Sequence, residues 1–380
     1  MNYFKILYFL QRGDKDLFDV PTTEQRSFFE SLGVAKDDID RGYKQYLCQN
    51  FFVPKWKVSF FNIIAAFLMP FITVFYLIKG LFVRSGVPIN AIIEKKGMDE
   101  VVPSDVWQKY NPDNSYWQEG SSLCFSDLSF LLKLVKKATN HPYFVLKATM
   151  NVVMYSDMIR RHSPMVMIQF GEFSFSSSIL TAYCHRNDIK HIDIMHGEKL
   201  FFIGDAFFHY DECYVWDEHY IKLFRELKAE PTQFIVALPE SLHINITKHI
   251  NKDAYADYKY YLAVASESEI KGVVDSMQFA KRNGKKVKFR PHPRYTDINL
   301  LRKYVNEEEI EDYKKVGILE SISNLEYAVG SYTTVLSQAY FSGKKVILDD
   351  VSFKSEYDKL KGMKYILSSK NCPILSEMQG

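Results

Sequence analysis

Short apolar runs alternate with stretches of helical period along most of this chain. Residues 165–170 form an apolar-rich run of strand length, and 190–195, 212–216 and 233–238 repeat the pattern. Between them, 176–186 and 218–228 space their apolar residues three and four apart, as a helix with one buried face does. Residues 126–138 and 141–160, upstream, are helical in the same way. The stretch 239–257 reads as a linker, and the alternation then restarts. Strands are predicted at 258–265, 286–290, 316–319, 327–330 and 345–349. Helices are predicted at 266–282, where Ser266 and Glu269 have the spacing of a capping box, at 299–305, and from the hydroxyl run beginning at Ser331 to Gly343. The tail after Asp350 shows no long helix. Strands alternating with helices predict parallel sheets covered on both faces. The expected fold class is α/β, with two Rossmann-like domains.

One segment departs from this rhythm. Residues 58–78 carry no charge, are flanked by Lys57 and Lys79, and are long enough to cross a bilayer as a helix. Pro70 sits in the middle, where it would kink or break a helix, so a bent hairpin is expected over one straight span. Three placements are open: a hairpin buried in a globular domain, a helix pair dipping into one leaflet, and a spanning helix. Lys55, Trp56, Lys57, Lys79 and Arg84 form a basic and aromatic collar of the kind found at membrane interfaces, which favours membrane contact. The domain reading is therefore an N-terminal helical region at 1–95 containing this segment, a first Rossmann-like domain at 96–245 and a second at 255–380. The opening stretch 1–10 is short and lacks a small-residue cleavage site, so no secretory signal is expected.

The composition is that of a globular protein: 380 residues, 47% hydrophobic and 25% charged. A net charge of +2 is too balanced for a dedicated nucleic-acid binder, so nucleic acid is not an expected partner. The five cysteines, Cys48, Cys124, Cys184, Cys213 and Cys372, include no CxxC pair, which argues against a disulfide framework or a zinc ribbon. The phosphate-binding fingerprints GxGxxG and GxxxxGK[ST] are absent, as are HExxH and any clustered Cys/His set. No cofactor and no metal site is expected. The triplet Asp38-Ile39-Asp40 lies in a charged run with no strand before it and reads as a solvated helix face.

What remains lies at strand ends, where open α/β sheets bind ligands. In the second half, Arg290-Pro291-His292-Pro293-Arg294 follows a strand. Its prolines fix the backbone, its arginines suit a phosphate, and a structural turn is the plain alternative. Ser331-Tyr332-Thr333-Thr334 stands at a strand-to-helix turn, where two hydroxyls and free N–H groups can hold an anion or merely cap the helix. In the first half, Glu172 follows Gly171 after one strand, and His196 precedes Gly197 after the next. Each is a titratable group that could face a ligand or be a satisfied buried side chain. Asp217, Glu218 and His219 form a further, weaker set.

In the order and spacing of these motifs, residues 165–350 resemble the GT-B glycosyltransferases that build bacterial surface polysaccharides. The likeness is to the group with a His-Pro motif and a Ser/Thr motif, which includes bacterial sialyltransferases, capsule Kdo transferases and, more distantly, polyol-phosphate polymerases of teichoic acid. The resemblance implies two parallel sheets facing a cleft. It also implies that His292, Pro293, Arg290, Arg294, Ser331, Thr333 and Thr334 bind the donor nucleotide. His196-Gly197 matches the His-Gly motif of the polyol-phosphate and several capsule enzymes. The acidic pair followed by Gly that the sialyltransferases carry is absent, leaving the catalytic base open between Glu172 and His196, with Glu172 preferred.

The activity this implies is inverting, metal-independent transfer of a sugar from a nucleotide donor to a glycan or lipid-linked acceptor, in capsule, O-antigen or lipooligosaccharide synthesis. A CMP-activated sugar such as sialic acid is the favoured donor. The expected location is the cytoplasm, at the inner face of the cell membrane. Polyol-phosphate transfer with His196 as base is the alternative reaction, and a sugar-nucleotide epimerase a third. A non-catalytic, membrane-associated scaffold of a polysaccharide assembly complex is the alternative outside enzymology.

Overall fold

A computed structural model describes all residues except 1–14, 16, 85, 94–98, 113–119, 252–253 and 380. The opening stretch 1–10 and the expected domain boundary at 95–96 therefore lie outside the described residues. The chain forms two compact units. One comprises Met1–His196 and Phe201–Ala237, the other Gly197–Leu200 and Leu238–Gly380.

The first unit holds a five-stranded parallel sheet in the order β1-β2-β3-β4-β5: Ala91–Ile93, Val166–Gln169, Lys190–Ile194, Glu212–Val215 and Phe234–Val236. Its helices include α1 (Thr22–Ser31), α2 (Asp38–Asn50), α3 (Lys55–Gly80), α4 (Ser104–Tyr110), α5 (Leu128–Lys137), α6 (Pro142–His162), α7 (Ser177–Arg186) and α8 (Glu218–Glu226). Side chains alternate along a strand, so a sheet covered on both faces divides its residues between two cores. On β2, Met167 joins the core built with Tyr46, Phe144, Val152, Tyr155 and Ile179. Its neighbours Val166 and Ile168 join Ala91, Ile93, Val106, Ile192 and Tyr214 on the other face.

Two expectations for this unit change. The segment containing Pro70 is one helix, α3, with the proline inside it. Pro70 and Ala66, the residue whose carbonyl loses its helical donor, both lie on the exposed side. One turn on, the Thr73 hydroxyl donates to the Met69 carbonyl (2.8 Å). The helix is also no buried hairpin, because Ile63, Phe67 and Phe71 are each more than 60% exposed. Nor are Asp38 and Asp40 a solvated face. Asp40 is buried, accepts from the Lys36 N–H (2.8 Å) and pairs with Lys137 (2.5 Å), while Asp38 meets His209 (2.6 Å). Burial pushes the Asp40 carboxyl up, but Lys137, Lys36 and Lys44 outweigh it and hold it below its ordinary value.

The second unit holds a four-stranded parallel sheet in the order β7-β6-β8-β9: Val287–Pro291, Ala256–Leu262, Leu325–Gly330 and Lys345–Leu348. The helices are α9 (Glu267–Ser276), α10 (Gln278–Arg282), α11 (Ile298–Leu301), α12 (Ile318–Ser323), α13 (Thr334–Phe341), α14 (Lys354–Gly362), α15 (Ile366–Ser369) and α16 (Leu375–Gln379). Residues 316–319, expected as a strand, instead lead into α12, with Gly317 as N-cap and Ile318 and Leu319 its first residues. Its apolar residues Ile318 and Ile322 stand four apart, and Ile322 is the fully buried one. The strand β1, only three residues long, had no pattern to announce it.

On β6, Tyr258, Tyr260 and Leu262 enter the core with Val273, Phe289 and Ile347. Lys259, between them, points to the other face and is fully buried. There it pairs with Glu311 (2.5 Å) and donates to the Ser321 carbonyl (3.1 Å). Arg290 on β7 donates to the same carboxylate (2.9 Å), and the Ser321 hydroxyl donates to it as well. Burial raises the Glu311 carboxyl, but Lys259, Ser321 and Arg290 together hold it below its ordinary value.

One carboxylate thus balances two desolvated cations, so the three charges are not equivalent. Losing Glu311 leaves two buried cations facing each other, whereas losing Lys259 leaves an Arg–Glu pair intact. Glu311→Gln should cost about 3–5 kcal/mol of stability and Lys259→Met much less, measured by urea denaturation. Equal costs would contradict this charge balance.

Candidate active site

In a parallel sheet all strand ends of one kind lie along one edge, and neighbouring strands are about 4.8 Å apart. β2 and β3 are neighbours, so the residues just past them, Glu172 and His196, come together. His196 Nδ1 stands 3.8 Å from Glu172 Oε1. Glu172 is wholly buried, whereas the His196 side chain is 30% exposed with Nδ1 on its buried side. The ring has aromatic neighbours in Phe170 and Phe173, at centroid distances of 6.1 and 5.8 Å.

The surrounding loop is closely held. The Gly171 N–H donates to Asp193 Oδ1 (2.7 Å), and a Cβ at Gly171 would come within 3.1 Å of the Gln169 side chain and the Tyr210 hydroxyl. From α2, the Gln45 amide donates to the Glu172 carbonyl (3.0 Å) and the Gly204 carbonyl (3.1 Å). Gln49, one turn on, donates to the carbonyls of Phe173 (2.8 Å) and Gly204 (3.0 Å). The Trp216 indole donates to the Met195 carbonyl (3.0 Å), fixing the residue before His196. No sequence signal marked Gln45, Gln49 or Phe173. Asp217 is accounted for as the N-cap of α8, accepting from the His219 N–H (2.7 Å).

In the second unit, β7 and β8 flank β6, so the two predicted motifs stand about 10 Å apart along one edge. The His292 N–H donates to the Leu262 carbonyl (2.8 Å), which ties the turn to the end of β6. His292 Nδ1 accepts from the Arg294 N–H (3.1 Å). That bond sets the tautomer, leaving Nε2–H as the outward donor. Tyr295, which no motif marked, stacks on the ring with centroids 4.5 Å apart. Pro293 and Arg294 are exposed, whereas the Arg290 guanidinium is engaged by Glu311.

Across β6, Thr333 caps α13, accepting from the Val335 N–H (3.4 Å), and Thr334 is exposed in the first turn. Ser331 lies beside Glu356, whose carboxyl is pushed above its ordinary value by burial, with the Ser331 hydroxyl working against the shift. The helix start at the middle strand differs. There Ser266 and Glu269 cap each other, and a carboxylate already occupies the N-terminus of α9. The first turn of α13 carries no acidic residue, so it is the helix start suited to an anion.

No protein-family model and no curated protein matches this chain. Among solved structures it is similar to a wall teichoic acid polymerase, TagF, at 12% identity and a TM-score of 0.41, covering 86% of this chain and 89% of that one. It is similar to the glycosyltransferase of kitacinnamycin at 9% identity and a TM-score of 0.42, covering 73% and 84%. A UDP-N-acetylglucosamine 2-epimerase from Rickettsia bellii shares 10% identity at a TM-score of 0.37, covering 70% and 78%. At these values the likenesses decide nothing about chemistry, which is argued from this chain's own residues.

Burial and the nearby Arg294 charge lower the His292 imidazole below its ordinary pKa, so the ring is neutral at pH 7. Nitrogen-15 NMR of labelled histidine should show the Nε2–H tautomer and a midpoint below the free-histidine value. An imidazolium at pH 7 would refute this.

Proposed function

We propose that this chain is an inverting, metal-independent transferase that moves a sugar from a nucleotide donor to a glycan or lipid-linked acceptor. In this reading the second unit holds the donor's phosphates and the first supplies the base. The carrying observation is the His196–Glu172 pair at adjacent strand ends. The burial of Glu172 and the partial exposure of His196 support His196 over Glu172 as the base in this reading.

His196 takes the acceptor hydroxyl's proton on Nε2 as the oxygen attacks the anomeric carbon. The imidazolium formed faces the Glu172 carboxylate across Nδ1, which stabilises the charge and fixes the ring plane. At the donor, His292 Nε2–H, Arg294, Ser331, the Thr333–Thr334 pair and the positive dipole end of α13 bear on the leaving phosphate. Pro293 stiffens the turn, and Arg290 acts through Glu311 by fixing the strand end that carries His292.

The motif resemblance favours a CMP-activated sugar and a place in surface-polysaccharide synthesis on the cytoplasmic face of the membrane. Polyol-phosphate transfer is the second reading. It is favoured by the exposure of His196, since the same base would activate a polyol hydroxyl against a phosphate.

Two measurements test the proposal. Screening CMP, UDP, GDP and CDP by thermal shift should find one that stabilises the protein by about 2.7 kcal/mol at 100 times its dissociation constant. His292→Ala should abolish that shift, and the absence of any nucleotide effect would favour a scaffold. Separately, His196→Ala should cut transfer roughly 100-fold or more with nucleotide affinity unchanged. Glu172→Gln should lower turnover and displace the pH–rate profile, again without loss of affinity. Full turnover in His196→Ala would overturn the assignment of the base.

A further inference from the structure

The helix α3 carries two unlike faces. Its inner side is fixed to the first unit along its length. Phe61 and Ala65 are buried, and Phe61 stacks on Tyr143 with centroids 5.1 Å apart. Asn62 accepts from the Tyr143 N–H (3.1 Å), while Met69, Tyr76 and Leu77 pack on the core. Near the other end the Tyr76 carbonyl accepts from the Leu123 N–H (3.0 Å), and the Gly80 carbonyl accepts from Arg160 (2.9 Å). A Cβ at Gly80 would lie 1.8 Å from the Leu123 carbonyl oxygen, so the contact there is backbone on backbone.

The outer side is an unbroken apolar stripe. Trp56, Phe60, Ile63, Phe67, Phe71, Val74, Phe75 and Ile78 recur three or four apart, and Leu81 and Phe82 prolong it past the helix end. Exposure reaches 70% at Phe67 and 79% at Phe82. A contiguous exposed patch of this kind marks an interaction surface.

Charge selects the partner. From residue 55 to residue 93 the chain has no Asp or Glu, while Lys55 and Lys57 stand at one end of the stripe and Lys79 and Arg84 at the other. The two lysines at the helix start also oppose its dipole, and the first turn holds no acid to offset them. If two copies met through this face, parallel or antiparallel, cations would meet cations at both ends. An anionic surface satisfies both ends at once, with the basic stems snorkelling outward from an inserted stripe.

Attachment selects the orientation. A helix pinned at Asn62, Tyr76 and Gly80 cannot cross a bilayer without carrying α6, with its Arg160 and Arg161, into the hydrocarbon. We propose that α3 lies in the plane of an anionic lipid membrane, its outer stripe inserted into one leaflet and its basic ends among the headgroups. The inference is independent of the transfer reading and survives if that reading fails.

The test uses the full chain and vesicles of phosphatidylcholine with or without phosphatidylglycerol. Co-sedimentation should occur with both and be roughly tenfold or more tighter with the anionic lipid. Phe67→Asp with Phe71→Asp, both exposed, should abolish binding while leaving the circular dichroism unchanged. Lys55→Glu with Lys57→Glu should remove the preference for anionic lipid and keep residual binding. Nitroxides attached at Ile63→Cys and Ile78→Cys should report equal depths in one leaflet. Failure to bind either vesicle overturns the inference. So does a dimer that the Phe67→Asp, Phe71→Asp protein loses without vesicle binding, which would assign the face to a second copy. Unequal depths spanning the bilayer would replace the in-plane helix with a crossing one.

Discussion

Parallel strands must each be re-entered from the same end, and this constraint places the candidate polar groups of both sheets. A crossover returns the chain to the start of the next strand, so the loop leaving each strand always emerges on the same edge. In the first unit that rule places residues more than twenty positions apart, Glu172 and His196, within 3.8 Å of each other. In the second it brings the His292 turn and the Thr333 cap to either side of β6. The clustering of candidate residues in each unit is thus a by-product of strand order.

The same strands divide labour between their two faces and their ends. Phe289 fills a core and Arg290, next along β7, turns to the opposite face to meet Glu311. Pro291 ends the strand, and His292 is the first residue past it. The buried charge group therefore supports the turn from below, while the half-buried imidazole and the exposed Arg294 lie past the strand end. Comparable support reaches the first unit's site from Trp216, Asp193 and the two glutamines of α2.

Strands of four or more residues were legible in the sequence, because burial on both faces leaves short apolar-rich runs. So were the helices between them, and so were the motifs at the strand ends. The features that stayed hidden have a common cause in distance along the chain. Glu311 lies in a loop with no periodicity, so nothing in the sequence tied it to Arg290 or Lys259. Glu172 and His196 could be read as rivals for one role until the pairing of β2 with β3 showed them to be partners. Pro70 suggests a break in the sequence, but the sequence does not show which side of the helix faces outward, and Ala66 and Pro70 lie on that side. The burial of Asp40 depends on Lys137, nearly a hundred residues away.

The two glutamines on α2 also bear on how the chain can be divided. A polypeptide beginning at β1 would retain all nine strands among the described residues and both runs of motifs. It would lack the amides of Gln45 and Gln49, and with them the bonds to the carbonyls of Glu172, Phe173 and Gly204. The loop beneath His196 would then be free to sample other shapes. The helical preface therefore braces the loop that carries Glu172, and a border drawn between the two would cut through a single mechanical assembly.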